Sequence, residues 1–149
     1  MIPKYRGLYQ RIIATGMATR YCSACGGSGE VKLVAIVDDD ELVRSALQGL
    51  MKAVGLPARA FASAEEFLKS DEQRRTGCLI ADIRMPGMSG LELQATLNAA
   101  DCKIPTIFIT AHEDEKLRAQ ALKAGAVEFV AKPFDDEALV ASVRAAMES

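Results

Sequence analysis

The stretch that decides the fold is "LVAIVDDDEL", residues 33–42, in which five apolar residues precede four consecutive acidic residues. A continuous apolar run of this length is typical of a β-strand that is covered on both faces, as in a parallel sheet. The acids at its end are costly, because neighbouring carboxylates repel each other and lose hydration when they are buried. We therefore expect a ligand or backbone donors to stabilise Asp38, Asp39 and Asp40.

The rest of the chain alternates short apolar runs with longer segments of helical spacing. The apolar runs predict strands at 33–37, 58–62, 78–82, 104–110 and 127–131. The helical spacing predicts helices at 42–54, 63–70, 93–100, 113–125 and 135–147. Five strands that alternate with five helices predict an α/β fold, a doubly wound, five-stranded parallel sheet with helices on both faces.

Acidic and hydroxyl side chains mark two of the helix starts. Asp40 stands directly before the first helix, where its side chain can accept hydrogen bonds from free N–H groups, and Glu41 follows in the first turn. Ser63 precedes the second helix and is followed three residues later by Glu66, the spacing of a capping box. The acidic run 38–41 is therefore predicted to contain residues that cap the helix as well as residues that a ligand stabilises.

Charge divides the 149 residues into a basic leader and an acidic domain. Residues 1–32 carry five basic and one acidic side chain, a net +4, and the remainder carries 13 basic and 19 acidic, a net −6. We expect residues 1–30 to form a flexible, glycine-rich leader and residues 31–149 to form one domain. The overall charge of −2 gives no sign of direct nucleic-acid binding.

No apolar run approaches the roughly 18 residues of a membrane span, and polar residues interrupt the start where a secretory signal would need an apolar region. Together with Cys78, which opens an apolar run as a buried free thiol would, this indicates a cytoplasmic, reduced protein. No membrane partner is expected.

The leader contains "CSACGGSG", residues 22–29, which matches the half-site of DnaJ-type zinc modules. One copy supplies only Cys22 and Cys25, whereas structural zinc takes four ligands. We favour a glycine-rich linker. Zinc shared between two chains and a redox pair stay open as alternatives, and Met17 leaves open an extended start.

Reactive side chains follow four of the five predicted strands. Asp38 and Asp39 follow the first, Asp82 ends the third, Thr110 ends the fourth and Lys132 follows the fifth. In open parallel sheets ligands bind at the carboxyl ends of the strands. Clustered carboxylates favour Mg²⁺, which usually also binds phosphate oxygens, so the pattern indicates phosphoryl chemistry.

In such chemistry an aspartate can be the nucleophile and form an aspartyl-phosphate. The Lys132 amine would then pair with one phosphoryl oxygen, and the Thr110 hydroxyl would donate a hydrogen bond to another. The backbone N–H of Ala111 is also within reach. The residues alone do not decide which aspartate is the nucleophile.

Residues 31–149 resemble the receiver domain of bacterial two-component response regulators, most closely the FixJ/NarL branch. Four motifs carry the resemblance, in this order and spacing: "VDDDE" (37–41), "IADIRMPGMSG" (80–90), "IFITAH" (107–112) and "AGAVEFVAKPFD" (124–135). The resemblance implies the flavodoxin/CheY-like strand order 2-1-3-4-5.

The resemblance also assigns the nucleophile and the metal ligands. It implies that Asp82 is the phosphoacceptor and that Asp38, Asp39 and Asp82 hold Mg²⁺, together with the backbone carbonyl of Arg84. The phosphoryl donor would be a sensor histidine kinase or a histidine phosphotransfer protein.

Further roles follow from the same resemblance. Thr110 and Lys132 would sense the phosphoryl group, and Phe129 would be the aromatic switch, with plain core packing as its alternative. The bond before Pro133 would be cis. Arg84 and His112 would either tune the lifetime of the phosphoryl group or be ordinary loop residues.

The implied function is a phosphorylation-dependent regulator, with output in transcription. It would catalyse only its own phosphorylation and dephosphorylation, and it would dimerise or bind a partner through the fourth helix, fifth strand and fifth helix. One alternative is a stand-alone or pseudo-receiver interaction module. Another is a haloacid-dehalogenase-type phosphatase with Asp38 as nucleophile, but it leaves Asp82 and "RMPGMSG" unexplained and lacks a cap domain in these residues.

Overall fold

The computed structural model describes residues 32–70, 72–111, 114–132 and 134–148. The five strands are β1 (Leu33–Val37), β2 (Ala58–Phe61), β3 (Thr76–Asp82), β4 (Thr106–Thr110) and β5 (Glu128–Ala131). The five helices are α1 (Glu41–Ala53), α2 (Ala64–Lys69), α3 (Gly90–Ala99), α4 (Glu115–Lys123) and α5 (Asp136–Met147). A short 3-10 turn, Gln73–Arg75, leads into β3.

The strands form one parallel sheet in the order β2-β1-β3-β4-β5, which confirms the predicted fold. β1, β3 and β4 lie in the middle and are buried along almost their whole length. The order brings the ends of β1 and β3 together, although more than 40 residues separate them in the chain.

Side chains alternate between the two faces of the sheet and build a core on each. Ala35 and Val37 of β1 pack on the face that carries Phe67 of α2 and Leu93 of α3. Val34 and Ile36 point to the opposite face, which α1 and α5 cover. Full burial of a side chain such as Ile36 stabilises the fold by about 1.5–3 kcal/mol. The central strands are therefore firmly packed and hold the residues at their carboxyl ends in place.

The strand and helix limits differ from the predictions by one to three residues at several places. β3 begins at Thr76, two residues earlier than predicted, and β4 begins at Thr106, two residues later. The late start of β4 has a clear cause, because Pro105 has no N–H to donate to the ladder. Its carbonyl still accepts a 2.8 Å hydrogen bond from the N–H of Leu79.

The predicted capping box at α2 forms only in half, so that prediction was wrong in part. The Ser63 hydroxyl accepts from the N–H of Glu66 at 3.0 Å, but the Glu66 carboxylate accepts from Ala62 and not from Ser63. The glutamate side chain is long enough to satisfy the N–H group one residue earlier. A complete box, not predicted, forms at Ser89 and Glu92 before α3.

Two of the cysteines are buried and free. Cys78 lies in β3, as predicted, and Cys102 lies between α3 and β4. Burial raises the pKa of each thiol to about 12, and the charge of Asp101 adds to the effect at Cys102. Both therefore stay protonated at neutral pH and act as small apolar side chains.

Several predictions concern residues outside the described ranges: the leader with Cys22 and Cys25, the role of His112, and the cis bond before Pro133. None of the helices in the described part of the chain has the length and apolar character to cross a membrane.

Candidate functional site

The carboxyl ends of four neighbouring strands bring the predicted reactive side chains to one edge of the sheet. Asp38 directly follows β1 and Asp82 ends β3, its neighbour in the sheet. Thr110 ends β4, and Lys132 directly follows β5. The backbone joins the last two, since the N–H of Lys132 donates to the carbonyl of Thr110 at 2.7 Å.

Three carboxylates form a compact cluster. Asp38, Asp39 and Asp82 each place one oxygen within 4.8 Å of the others. Asp38 is fully buried and Asp82 nearly so, whereas Asp39 is exposed. A set of carboxylate oxygens that is anchored in the core and open to solvent on one side fits a hard divalent cation. The acidic cluster could therefore bind a metal ion.

Lys132 lies between the two buried carboxylates. Its Nζ atom is 3.4 Å from an oxygen of Asp38 and 3.4 Å from an oxygen of Asp82. The lysine side chain is itself only 21% exposed. One ammonium group therefore partly offsets the repulsion between two carboxylates, and it stands next to any group attached to Asp82.

Asp40 has a different role from Asp38 and Asp39, as predicted. Its carboxylate accepts from the N–H of Leu42 at 2.9 Å and caps α1. Its own N–H donates to the Asp38 carboxylate at 2.8 Å. The acidic run thus divides between the cluster and the start of the helix.

Burial raises the pKa of the Asp38 carboxyl above its ordinary value of 3.8, and the neighbouring charge of Asp82 adds to this. The N–H of Asp40 and the Lys132 amine oppose the shift without cancelling it. At neutral pH the ionisation of Asp38 therefore costs stability unless a cation is present.

This cost leads to a prediction about stability and pH. Because the folded-state pKa of Asp38 is raised, the folded protein holds more protons just above pH 3.8, and its stability falls as the pH rises through that range. Asp38→Asn is expected to raise the free energy of unfolding at pH 7 in EDTA, and the gain should shrink toward pH 4. Urea unfolding across this range measures both. Asp101→Asn, at an exposed position, is the control. An Asp38→Asn variant that is no more stable than wild type at pH 7 would contradict the prediction.

The loop after β3 is held from several sides. The N–H of Arg84 donates to the Asp82 carboxylate at 3.1 Å, and the N–H of Gly90 donates to the carbonyl of Ile83 at 3.0 Å. From α2, the Glu65 carboxylate accepts from the N–H of Met88 at 3.3 Å. These contacts fix the segment whose carbonyl at Arg84 is the predicted fourth metal ligand.

Gly90 is needed because the first turn of α3 lies against the backbone of Asp82. A Cβ atom at position 90 would lie 2.4 Å from the Asp82 carbonyl oxygen, a distance that requires the backbone to move. The last glycine of "RMPGMSG" therefore sets the distance between α3 and Asp82.

Gly90→Ala is expected to lower the free energy of unfolding by about 2 kcal/mol or more, the usual cost of overpacking. Gly49→Ala is the matched control, because it lies in α1 with no atom near the added methyl group, and should gain about 0.5–1 kcal/mol. Denaturant unfolding of both variants gives the comparison. Equal stabilisation by the two alanines would show that the close approach at Gly90 is unimportant.

The remaining predicted residues lie around this centre. Thr110 is buried, whereas Ala111, directly after it, is exposed. Phe129 lies in the middle of β5, paired with Phe108, and its side chain is packed in the core. The switch role predicted for Phe129 therefore concerns a ring that points inward in this structure.

Sequence reasoning missed Arg44 and Glu65, two charged residues that contact the backbone of the site. Arg44 of α1 donates to the carbonyl of Asp38 at 2.7 Å. Neither lies at a strand end, so the pattern that located the carboxylates could not locate them. A signal exists only for Arg44, which lies at the end of the first turn of the helix that Asp40 caps.

The chain matches the family model "Response regulator receiver domain" over residues 34–144. It is 43% identical over 121 residues to the response regulator protein TodT of Pseudomonas putida, covering 81% of this chain and 53% of that protein. It is 43% identical over 114 residues to the transcriptional regulatory protein FixJ of Azorhizobium caulinodans, covering 76% and 54%. The chain thus spans about half the length of the curated relatives it matches.

Solved structures show the same similarity. The crystal structure of FixJ-N matches with a TM-score of 0.73 and 40% identity, over 80% of this chain and 95% of that one. The response regulator StyR matches with a TM-score of 0.74 and 42% identity, over 79% and 60%. The chain therefore belongs to the response regulator receiver domain family.

Proposed function

We propose that Asp82 accepts a phosphoryl group from a histidine kinase or histidine phosphotransfer protein in a Mg²⁺-dependent reaction. The observation that carries this proposal is the position of the Lys132 amine, 3.4 Å from both Asp38 and Asp82 at the edge of the acidic cluster. A cation site and a fixed ammonium group on either side of one carboxylate suit the transfer of a dianionic group to that carboxylate.

Asp38, Asp39, Asp82 and the backbone carbonyl of Arg84 would hold the ion. The geometry of the cluster and the oxygen-only donor set fit Mg²⁺. When bound, Mg²⁺ would neutralise charge on the carboxylates and on the phosphoryl oxygens.

The chain's own residues would carry the transfer. A carboxylate oxygen of Asp82 attacks phosphorus, so that an O–P bond forms as the N–P bond to the donor histidine breaks, and the electron pair leaves on the imidazole nitrogen. Lys132 then pairs with a phosphoryl oxygen in place of the Asp82 carboxylate. The Thr110 hydroxyl and the Ala111 N–H donate to the others.

The proposed switch uses the link between β4 and β5. Movement of Thr110 toward the phosphoryl group would be transmitted to β5, because the Thr110 carbonyl is bonded to the Lys132 N–H. The Phe129 ring, which already lies in the core, would shift with β5, and the face formed by α4, β5 and α5 would change its packing.

Two apolar side chains suited to self-association are exposed where α4 leads into β5. Leu122 at the end of α4 and Val127 just before β5 are 40% and 47% exposed. In the described part of the chain the only other large apolar side chain so exposed is Leu42, which lies on α1. We propose that the phosphorylated chain forms a homodimer through the α4–β5–α5 face.

With Mg²⁺ and beryllofluoride, Val127→Asp is expected to weaken dimerisation at least tenfold, because a carboxylate would be desolvated in the interface. Leu42→Asp is the control and should dimerise like wild type. Sedimentation velocity measures both. Equal effects of the two variants, or dimerisation that Val127→Asp does not weaken, would place the interface elsewhere.

Residues 31–149 are proposed as the receiver unit, with residues 1–30 as a separate leader. Its catalytic activity would be limited to its own phosphorylation and dephosphorylation. The transcriptional regulatory proteins FixJ and TdiR, to which the chain is similar, support an output in transcription. We propose that this chain acts in the cytoplasm and makes no direct contact with nucleic acid.

The pseudo-receiver alternative is tested by phosphoryl uptake. Wild-type protein incubated with acetyl phosphate should become phosphorylated with Mg²⁺ and stay unmodified in EDTA. No uptake under either condition, and no response to beryllofluoride, would favour an interaction module that works without phosphorylation.

A further inference from the structure

Arg44 reaches from α1 to the backbone that carries the acidic pair. Its guanidinium donates a 2.7 Å hydrogen bond to the carbonyl oxygen of Asp38, six residues earlier, and the contact is partly buried. That carbonyl belongs to the peptide group that joins Asp38 to Asp39. A charged donor at this distance makes a strong hydrogen bond, and the peptide group it holds is a rigid plane.

Other contacts hold the backbone before and after this peptide, but none of those between described residues holds the Asp39 carboxylate. The Asp38 N–H donates to the carbonyl of Phe61 in β2, and the Asp38 carboxylate accepts from Asp40. Asp39 is exposed, and among the described residues no side-chain hydrogen bond holds its carboxylate. The direction of that carboxylate therefore depends on the orientation of the Asp38–Asp39 peptide.

We propose that Arg44 is a positioning residue for the cation site, which orients the Asp39 carboxylate toward Asp38 and Asp82 through the peptide between the aspartates. The inference rests on the proposed function, since it assumes that the cluster binds a divalent cation. Groups that hold metal ligands in place from behind commonly change metal affinity 10- to 100-fold when they are removed.

If Arg44 acted only through its charge, its removal would change the metal affinity in the opposite direction. A guanidinium near three carboxylates repels an incoming divalent cation, so removing its charge should tighten cation binding. A purely structural role would lower stability and leave affinity alone. The sign of the affinity change therefore distinguishes the three roles.

The test uses the full chain and Mn²⁺ as the probe, with free Mn²⁺ measured by electron paramagnetic resonance and displaced by Mg²⁺. Arg44→Met is expected to raise the Kd for Mn²⁺ roughly tenfold, and Arg44→Lys, which keeps the charge but not the planar donor, should raise it less. Arg144→Met is the matched control, because Arg144 also donates to a main-chain carbonyl, that of Val54 at 3.1 Å, at the far end of α1. Its Kd should equal that of wild type.

A lower Kd for Arg44→Met, or an unchanged Kd with a loss of stability, would overturn the inference. If Arg44→Met does not fold, Arg44→Lys decides, since a raised Kd supports positioning and an unchanged Kd refutes it. Asp39→Asn separates the two levels of the proposal. If Asp39→Asn binds Mn²⁺ as tightly as wild type does, the cation site itself is refuted, and with it the role of Arg44.

Discussion

Asp82→Asn is expected to take up no phosphoryl group from acetyl phosphate in the presence of Mg²⁺. The amide of Asn lacks the nucleophilic carboxylate oxygen, and no other carboxylate of the cluster ends a strand next to both Lys132 and the loop after β3. Phosphate-affinity electrophoresis of wild type and variant, at matched protein concentration, measures the loss. Unchanged denaturant unfolding would show that the variant is folded.

The matched comparison is Asp38→Asn. Because Asp38 is proposed to hold the ion and not the phosphoryl group, this variant should react slowly and recover part of its rate at high Mg²⁺ concentration. The phosphatase-like alternative makes Asp38 the nucleophile and predicts the reverse order. Uptake by Asp82→Asn together with none by Asp38→Asn would refute the receiver mechanism.

Asp39→Asn should weaken Mg²⁺ binding at least tenfold, because it removes one of three charged ligands from a site that is open to water. The neighbouring Asp40→Asn should change the affinity less than about twofold, since Asn caps a helix about as well as Asp. Calorimetric titration with Mg²⁺ measures both variants.

The adjacent positions make this comparison stringent. The two substitutions remove the same charge one residue apart, so a long-range electrostatic effect would be similar for both. Equal weakening by Asp39→Asn and Asp40→Asn would mean that the acidic run acts only as a diffuse negative charge.

Much of the fold could be predicted from the sequence because the same pattern, a short apolar run followed by a helical segment, repeats along it. Each central strand is an apolar run, and buried parallel strands must be apolar on both faces. The positions of Asp38, Asp82, Thr110 and Lys132 then followed from one rule, that parallel strands end at the same edge. The strand order did not follow from periodicity, and came only from the resemblance to receiver domains.

What could not be predicted depends on distances between segments remote in the chain. The need for glycine at position 90 comes from the approach of α3 to the Asp82 carbonyl, and nothing in "MSG" reveals it. The Arg44 contact depends on how α1 lies against the end of β1. The capping boxes show the same limit, since Ser63–Glu66 and Ser89–Glu92 share one spacing but only the second forms completely.

The central claim is that Asp82 carries the phosphoryl group, and tryptic mapping tests it most directly. Cleavage after Lys32, Arg44, Arg75 and Arg84 places Asp38, Asp39 and Asp40 in "LVAIVDDDELVR" and Asp82, as the only acid, in "TGCLIADIR". Wild-type protein would be phosphorylated with acetyl phosphate and Mg²⁺, reduced with borohydride to convert aspartyl-phosphate to homoserine, digested and examined by mass spectrometry. The account predicts homoserine in the second peptide at position 82, and homoserine in the first peptide would contradict it.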